Sequence, residues 1–391
     1  MVKKYLTLSS SFLIMLCLGS VYAWSIMASE LTEKFNFAAA QTQLIFGALI
    51  AIFPATMIFA NKLAKKIMPK NLGHLSGILF LAGYVLAGFS NGNFLLLFSG
   101  ISILAGLATG LGYWVALTVP VQWFPGRKGL VTGISAAGFG LGAYLMSVLS
   151  EIVLSKGASV FHVFSLTGLL YGTLIVAFST FIFQPFHNVE TQKYTNNRFL
   201  LSPGFIKLFF GIFAGTFSGL LVIGNLKLIG GAGSIPNHLL IAGISLLAVS
   251  NFFGRLIWGF LSDYVPAALC VFLALALQSV SIFLFSPEYL NHRSYIILSA
   301  LTGFGFGGNF VLFAKETTRI YGTDNLGRIY PYVFLGYALA GISGPISGGL
   351  LFDFFNGFTY PVFLAALVSF FGSLLFLYEF LKTMKSKNEQ P

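Results

Sequence analysis

Twelve predominantly apolar stretches follow one another along this chain, most of them near the length of about 20 residues that a helix needs to cross a bilayer. They run over residues 5–28, 40–60, 72–90, 94–119, 129–150, 162–184, 204–225, 236–261, 266–286, 294–314, 328–351 and 358–381. No other feature restricts the fold as much. In hydrocarbon a spanning segment must satisfy its own backbone hydrogen bonds, and serial apolar segments of this length do so as helices. Only 8% of residues are charged and mean hydropathy is +0.86, whereas a soluble domain carries roughly 25% charged residues. Soluble-enzyme readings are excluded on that ground. Lys3 and Lys4 before the first apolar run resemble a secretory leader, but eleven further segments make that run the first spanning helix. The expectation is an all-α, multi-pass protein of the cell membrane with 12 transmembrane helices.

The connections are short except for 185–203, which is polar and divides the segments six and six. The expected organisation is an N-terminal six-helix bundle over 1–185, a cytoplasmic linker over 186–203 and a C-terminal six-helix bundle over 204–391. With the N-terminus inside, seventeen of the 22 Lys and Arg fall on the cytoplasmic side and four outside. Both termini are therefore expected in the cytoplasm. The net charge of +11 reflects these loops and does not call for nucleic acid. Cys17 and Cys270 lie inside apolar segments and read as packing residues. The halves repeat weakly: GLATGLGYWVALTVPVQWFPGRKG (106–129) parallels GFGFGGNFVLFAKETTRIYGTDNLG (303–327), which makes helices 4 and 10 equivalent. Repeats of this kind place a substrate site between the halves, near the midplane.

The remaining cation is Arg255, in NFFGRLIWGFLSD (251–263). A guanidinium does not lose its proton, and an intramembrane charge costs several kcal/mol. Arg255 lies eight residues before Asp263, about 12 Å along a helix, inside the apolar core. Its planar fork matches a carboxylate bidentately. Asn251, one turn earlier, shares its face, and its amide either bonds a substrate hydroxyl or orients the guanidinium. The alternatives are a structural Arg bonded to backbone carbonyls and one snorkelling to the cytoplasmic face. All eleven acidic residues and all five His lie in loops or near helix ends. One substrate carboxylate would thus neutralise Arg255, which favours monocarboxylates and exchange. A proton would have to travel on the substrate, or through Glu30 or Glu316.

Twelve helices, the repeat and the WGFLSD exit of helix 8 resemble the major facilitator superfamily, in the branch of oxalate:formate antiporters and monocarboxylate transporters. The resemblance is carried by GSVYAWSI (19–26), WFPGRKGLVTGISAAGFGLG (123–142), GLLVIGNLK (219–227), NFFGRLIWGFLSD (251–263) and GFGFGGNF (303–310). It implies the major facilitator fold and transport of small organic anions such as lactate, pyruvate or formate by alternating access, as an antiporter or uniporter. Proton-coupled symport, a different solute such as a sugar or drug, and a membrane sensor are the alternatives. It also implies that helices 1, 4, 7 and 10 line the cavity, flanked by 2, 5, 8 and 11. Substrate-binding candidates are then Arg255, Asn251, Tyr113, Phe334, Tyr22, Phe139, Phe310 and Tyr337, and gating candidates are Asp263, Arg127 and Lys128. The working unit is expected to be a monomer without cofactor or metal, whose partners are the anion, a counter-anion or proton, and the bilayer.

Three positions depart from the family pattern. Asn61 stands where the loop after helix 2 usually carries Asp, Asn251 where animal-type monocarboxylate transporters carry Asp, and helix 11 has no Lys for a second cation. Asn309 is either cavity-lining or a bond between helices. GFGFGG (303–308) is not a nucleotide loop, because it follows a spanning segment and lacks the preceding strand.

Overall fold

The computed structural model describes residues 2–185 and 197–388. Most of the linker expected over 186–203, namely 186–196, lies outside the described residues, and Asn197–Leu201 forms a 3-10 turn. The helices, in chain order, are α1 (Val2–Phe35), α2 (Ala39–Leu63), α3 (Pro69–Gly88), α4 (Phe94–Gln122), α5 (Lys128–Ser155), α6 (Val160–Ser179), α7 (Pro203–Ala232), α8 (Asn237–Tyr264), α9 (Ala267–Phe283), α10 (His292–Tyr321), α11 (Thr323–Phe352) and α12 (Thr359–Asn388). Among the described residues eleven helices have the length and apolarity to cross a membrane, and α9 is a shorter apolar helix of 17 residues. The expected start at 266 is corrected by one residue because Pro266 caps the helix from outside.

Helix starts follow local chemistry. Ser202 accepts from the Phe205 amide ahead of α7, with Pro203 as the first helical residue. Asn291 accepts from the amides of Arg293 and Ser294 at 3.1 and 3.0 Å ahead of α10. Both satisfy amides that a helix end leaves without partners. Inside the chain, α1 is broken by a 3-10 turn at Ser20–Ala23. π-helical stretches interrupt α4 at Phe98–Ala105 and α6 at Gly168–Gly172.

The helices form two compact units, one of residues 1–125 and 134–188 and the other of residues 126–133 and 189–391. In the first, α4 packs along α1, α2 and α3, and α6 packs along α1 and α3. In the second, α10 packs along α7, α8 and α9, and α12 packs along α7 and α9. Adding six to each helix number turns the first set of pairs into the second, which gives the weak 106–129/303–327 likeness a structural counterpart.

Lipid tails are as apolar as Leu, so helix association here depends on close packing and on bonds between helices. A methyl group at Gly142 would strike the Leu16 carbonyl and one at Gly138 the Phe12 carbonyl, so α5 lies backbone to backbone on α1. In the second unit Gln278 Nε2 donates to the Gly215 carbonyl at 2.7 Å, and Asn309 Nδ2 donates to Gln278 Oε1 at 3.2 Å. Asn309 therefore bonds one helix to another. Ser279 and Ser369 add bonds between α9 and α12, to the carbonyls of Ala366 and Leu275 at 2.8 and 2.9 Å. Gln278→Leu removes two of these links and is expected to destabilise the protein by about 1–2 kcal/mol, read as an earlier thermal unfolding transition in detergent.

A charge network lies where α7, α10 and α12 meet. Glu316 is fully buried and accepts from Arg319 at 2.8 and 2.6 Å. Glu379 accepts from Lys207 at 2.9 Å and from Arg319 at 3.3 Å. Sequence reading put these residues near helix ends, but it did not bring them together.

Candidate functional site

The second unit holds Arg255 on α8 with its guanidinium sealed from solvent, the residue being 1% exposed. It reaches that position because α8 lies unusually close to α10. A methyl group at Gly307 would come within 2.5 Å of the Asn251 carbonyl, and one at Gly254 would strike the Phe304 carbonyl. The glycines of GFGFGG thus bring the α8 backbone against α10, and Arg255 lies over the next aromatic side chain along. Its guanidinium carbon lies 4.3 Å from the centroid of the Phe310 ring, a cation–π contact that strengthens when water is excluded. Arg255 Nε donates to Asn251 Oδ1 at 3.1 Å across one helical turn. Of the two roles open to Asn251, orienting the guanidinium is the one this contact fills. Neither Asn251 nor Phe310 brings a compensating charge.

Phe310 is the hub of an aromatic cluster. Its ring meets Phe334 edge-on at 6.1 Å and Tyr337 at 5.5 Å, while Phe334 and Tyr337 lie 4.9 Å apart. Tyr330 adds a ring 5.2 Å from Phe334, and its hydroxyl donates to the Phe310 carbonyl at 3.1 Å. Pro331 interrupts the regular bonding of α11, and the helix steps at Phe334, between Leu326–Val333 and the segment that begins at Leu335. Edge-to-face pairs of this kind contribute about 0.5–1.5 kcal/mol beyond their buried area, so the ring under Arg255 is held from several sides.

The first unit contains the other aromatic candidates. Tyr22 projects from the 3-10 turn of α1 and meets Phe139 of α5 edge-on at 5.3 Å. Tyr113 of α4 meets the same ring at 5.5 Å. Phe53 of α2, which sequence reading did not single out, completes the group at 4.9 Å from Tyr113 and 6.2 Å from Phe139. Its one available signal was the neighbouring Pro54 inside a spanning helix. Tyr330 was missed in the same way, next to Pro331.

The gating candidates all lie in the second unit, where Gly126–Gly133 belongs. Asp263 Oδ1 accepts from the Gly129 amide at 2.8 Å, and Oδ2 from the Leu130 amide at 2.9 Å. The carboxylate therefore caps the positive end of α5, and it also pairs with Lys315. Lys128 donates to the Thr323 hydroxyl. Arg127 is exposed. The seam is tight: a methyl at Gly133 would lie 2.6 Å from the Arg255 carbonyl. The α8 segment that carries Arg255 thus also carries the α5 cap. Among the described residues no group of three or more His, Cys, Asp or Glu is placed to hold a metal ion.

Membrane-length helices in two similarly paired units, with a deeply buried cation stacked on an aromatic ring, define a polytopic membrane carrier. The chain belongs to the Major Facilitator Superfamily, whose model matches residues 8–290 and 238–391. It is 28% identical over 350 residues to the MFS-type transporter YhjX of Escherichia coli, covering 87% of this chain and 86% of that one. It is 26% identical over 355 residues to the oxalate:formate antiporter of Oxalobacter formigenes, covering 88% and 83% respectively. The fucose:proton symporter FucP of Escherichia coli superposes with a TM-score of 0.70 at 15% identity, covering 94% of this chain and 98% of FucP, a likeness of fold. The protein is thus a multi-pass membrane transporter of a small-molecule substrate and not an enzyme.

Proposed function

We propose that the protein carries small organic anions, above all monocarboxylates of the lactate, pyruvate or formate type, by alternating access as an antiporter or uniporter. The observation that carries the reading is the Arg255 guanidinium, buried, steadied by a neutral amide and stacked on Phe310. The planar guanidinium matches a carboxylate in a bidentate and charge-assisted contact. The name of the Oxalobacter formigenes relative agrees with an anion as substrate and with exchange as the mode. We assign substrate contacts to Phe310, Phe334 and Tyr337 in the second unit and to Tyr22, Tyr113 and Phe139 in the first. Asp263, with Lys128 and Arg127, serves as the gate. We further assign 1–185 and 204–391 as the two bundles, both termini to the cytoplasm, and a monomer as the working unit.

The test is uptake of labelled lactate, pyruvate and formate into proteoliposomes, with and without counter-substrate inside. Exchange predicts uptake that rises several-fold with internal carboxylate. Uptake driven by an inward proton gradient in vesicles without internal substrate would instead assign proton symport, and uptake of sugars alone would remove the anion reading. Asn251→Asp sharpens the charge argument. A carboxylate on Nε would offset the guanidinium charge before any substrate arrives. Half-saturation for monocarboxylates is expected to rise about tenfold, equivalent to about 1.4 kcal/mol.

A further inference from the structure

The second unit has a recess that the transport reading does not use. It lies on the outer surface between α7 and α12, with a volume of about 540 Å³, and is lined by Phe210, Phe213, Phe371, Leu374, Leu375 and Tyr378 over a floor of Ala214 and Gly372. Gly372 makes the recess. A methyl there would lie 2.7 Å from the Ala214 methyl, so the helices close at the floor while the larger rings stand apart as walls. Phe210, Phe371, Leu375 and Tyr378 are exposed, which in a membrane-spanning bundle means facing lipid.

Its dimensions and ends select an occupant. On α12 the lining runs from Val368 to Tyr378, about 15 Å of helix, and the hydrocarbon core is about 30 Å thick. The recess therefore spans one leaflet. It ends at the charge network, because Glu379 follows Tyr378 and pairs with Lys207 and Arg319. Residues 371, 375, 378, 382 and 385 share one helical face, so the exposed Lys382 and Lys385 extend the lining past its polar end. At that end four bases, Lys207, Arg319, Lys382 and Lys385, stand against two acids, Glu316 and Glu379. An apolar trough one leaflet deep with an excess of positive charge at its mouth matches one molecule type: an acyl chain joined to an anionic phosphate head.

We propose that the α7–α12 groove is a site for an anionic glycerophospholipid, with one acyl chain along Phe210, Phe371 and Leu375 and the phosphate held by Lys382 and Lys385. The site is independent of the carboxylate reading, and its test does not use transport.

The delipidated full chain in detergent is heated with dioleoylphosphatidylglycerol, with dioleoylphosphatidylcholine, or with the chain-free headgroup glycerophosphoglycerol. The anionic lipid is expected to raise the unfolding midpoint by several degrees more than the zwitterionic one, and the headgroup alone to have no effect. Lys382→Gln with Lys385→Gln, both exposed and outside the packed core, is expected to abolish the difference between the lipids. Equal stabilisation by both lipids, an equal effect of the bare headgroup, or a preference that survives the double substitution would each overturn the proposal. Phosphatidylglycerol with a diazirine on its acyl chain gives the location. Adducts are expected within 210–214 and 368–378, and labelling spread evenly over the lipid-facing helices would overturn the site.

Discussion

Arg255→Lys is expected to lower monocarboxylate uptake about 10- to 100-fold at subsaturating substrate, with the amount of folded protein in the membrane unchanged. Lysine keeps the positive charge and much of the length. It loses the planar fork, the Nε donor that Asn251 holds at 3.1 Å and the flat face 4.3 Å from the centre of the Phe310 ring. A bidentate charge-assisted contact becomes a point-charge contact, a loss of about 1.5–3 kcal/mol. Binding of the same acids, followed by thermal shift on purified protein, separates recognition from turnover. Unchanged carboxylate affinity in the variant would return Arg255 to a purely structural role.

Arg319→Met is expected to cost about 3 kcal/mol of stability while leaving Arg255 chemistry alone. Glu316 has a fully buried side chain, and Arg319 supplies both of its ionic hydrogen bonds at 2.8 and 2.6 Å. Removing the partner strands a buried carboxylate, the circumstance in which breaking an ion pair is most damaging. Arg319→Met with Glu316→Gln is expected to recover much of the loss, because the stranded charge is gone. Thermal unfolding of the two single variants and the double variant measures the coupling. Additive losses would show that the pair contributes nothing as a pair.

The helices were legible because bilayer thickness imposes a length that composition alone reveals. The Asn251–Arg255 pair was legible because four residues of separation make one helical face, and the sequence showed that the neighbour was an amide. Phe310 entered as a lining candidate through a resemblance, and its place under Arg255 was not legible. That depends on how closely Gly307 lets α10 approach α8, and a glycine in sequence looks the same whether it serves a seam or a loop. Phe53 and Tyr330 escaped notice because aromatics make up 16% of the chain, which hides any single ring. Within the Lys207–Glu379–Arg319–Glu316 network only Glu316 and Arg319, three apart on α10, follow a spacing rule; Lys207 and Glu379 come from α7 and α12, and no spacing connects them to that pair.

The cap on α5 has a consequence for anyone mapping this protein by mutation. Asp263 grips the α5 start through the backbone amides of Gly129 and Leu130. Every amino acid except proline presents the same N–H, so substitutions at Leu130 leave that grip intact. Gly129 is sensitive for a different reason, since a side chain there would collide with Ser262 and the Gly259 carbonyl. A saturation scan would therefore record Asp263 as indispensable and return no polar residue on α5 to explain it. Covariation between the two sites would be equally silent, because one side of the contact is written in the main chain and has no alleles.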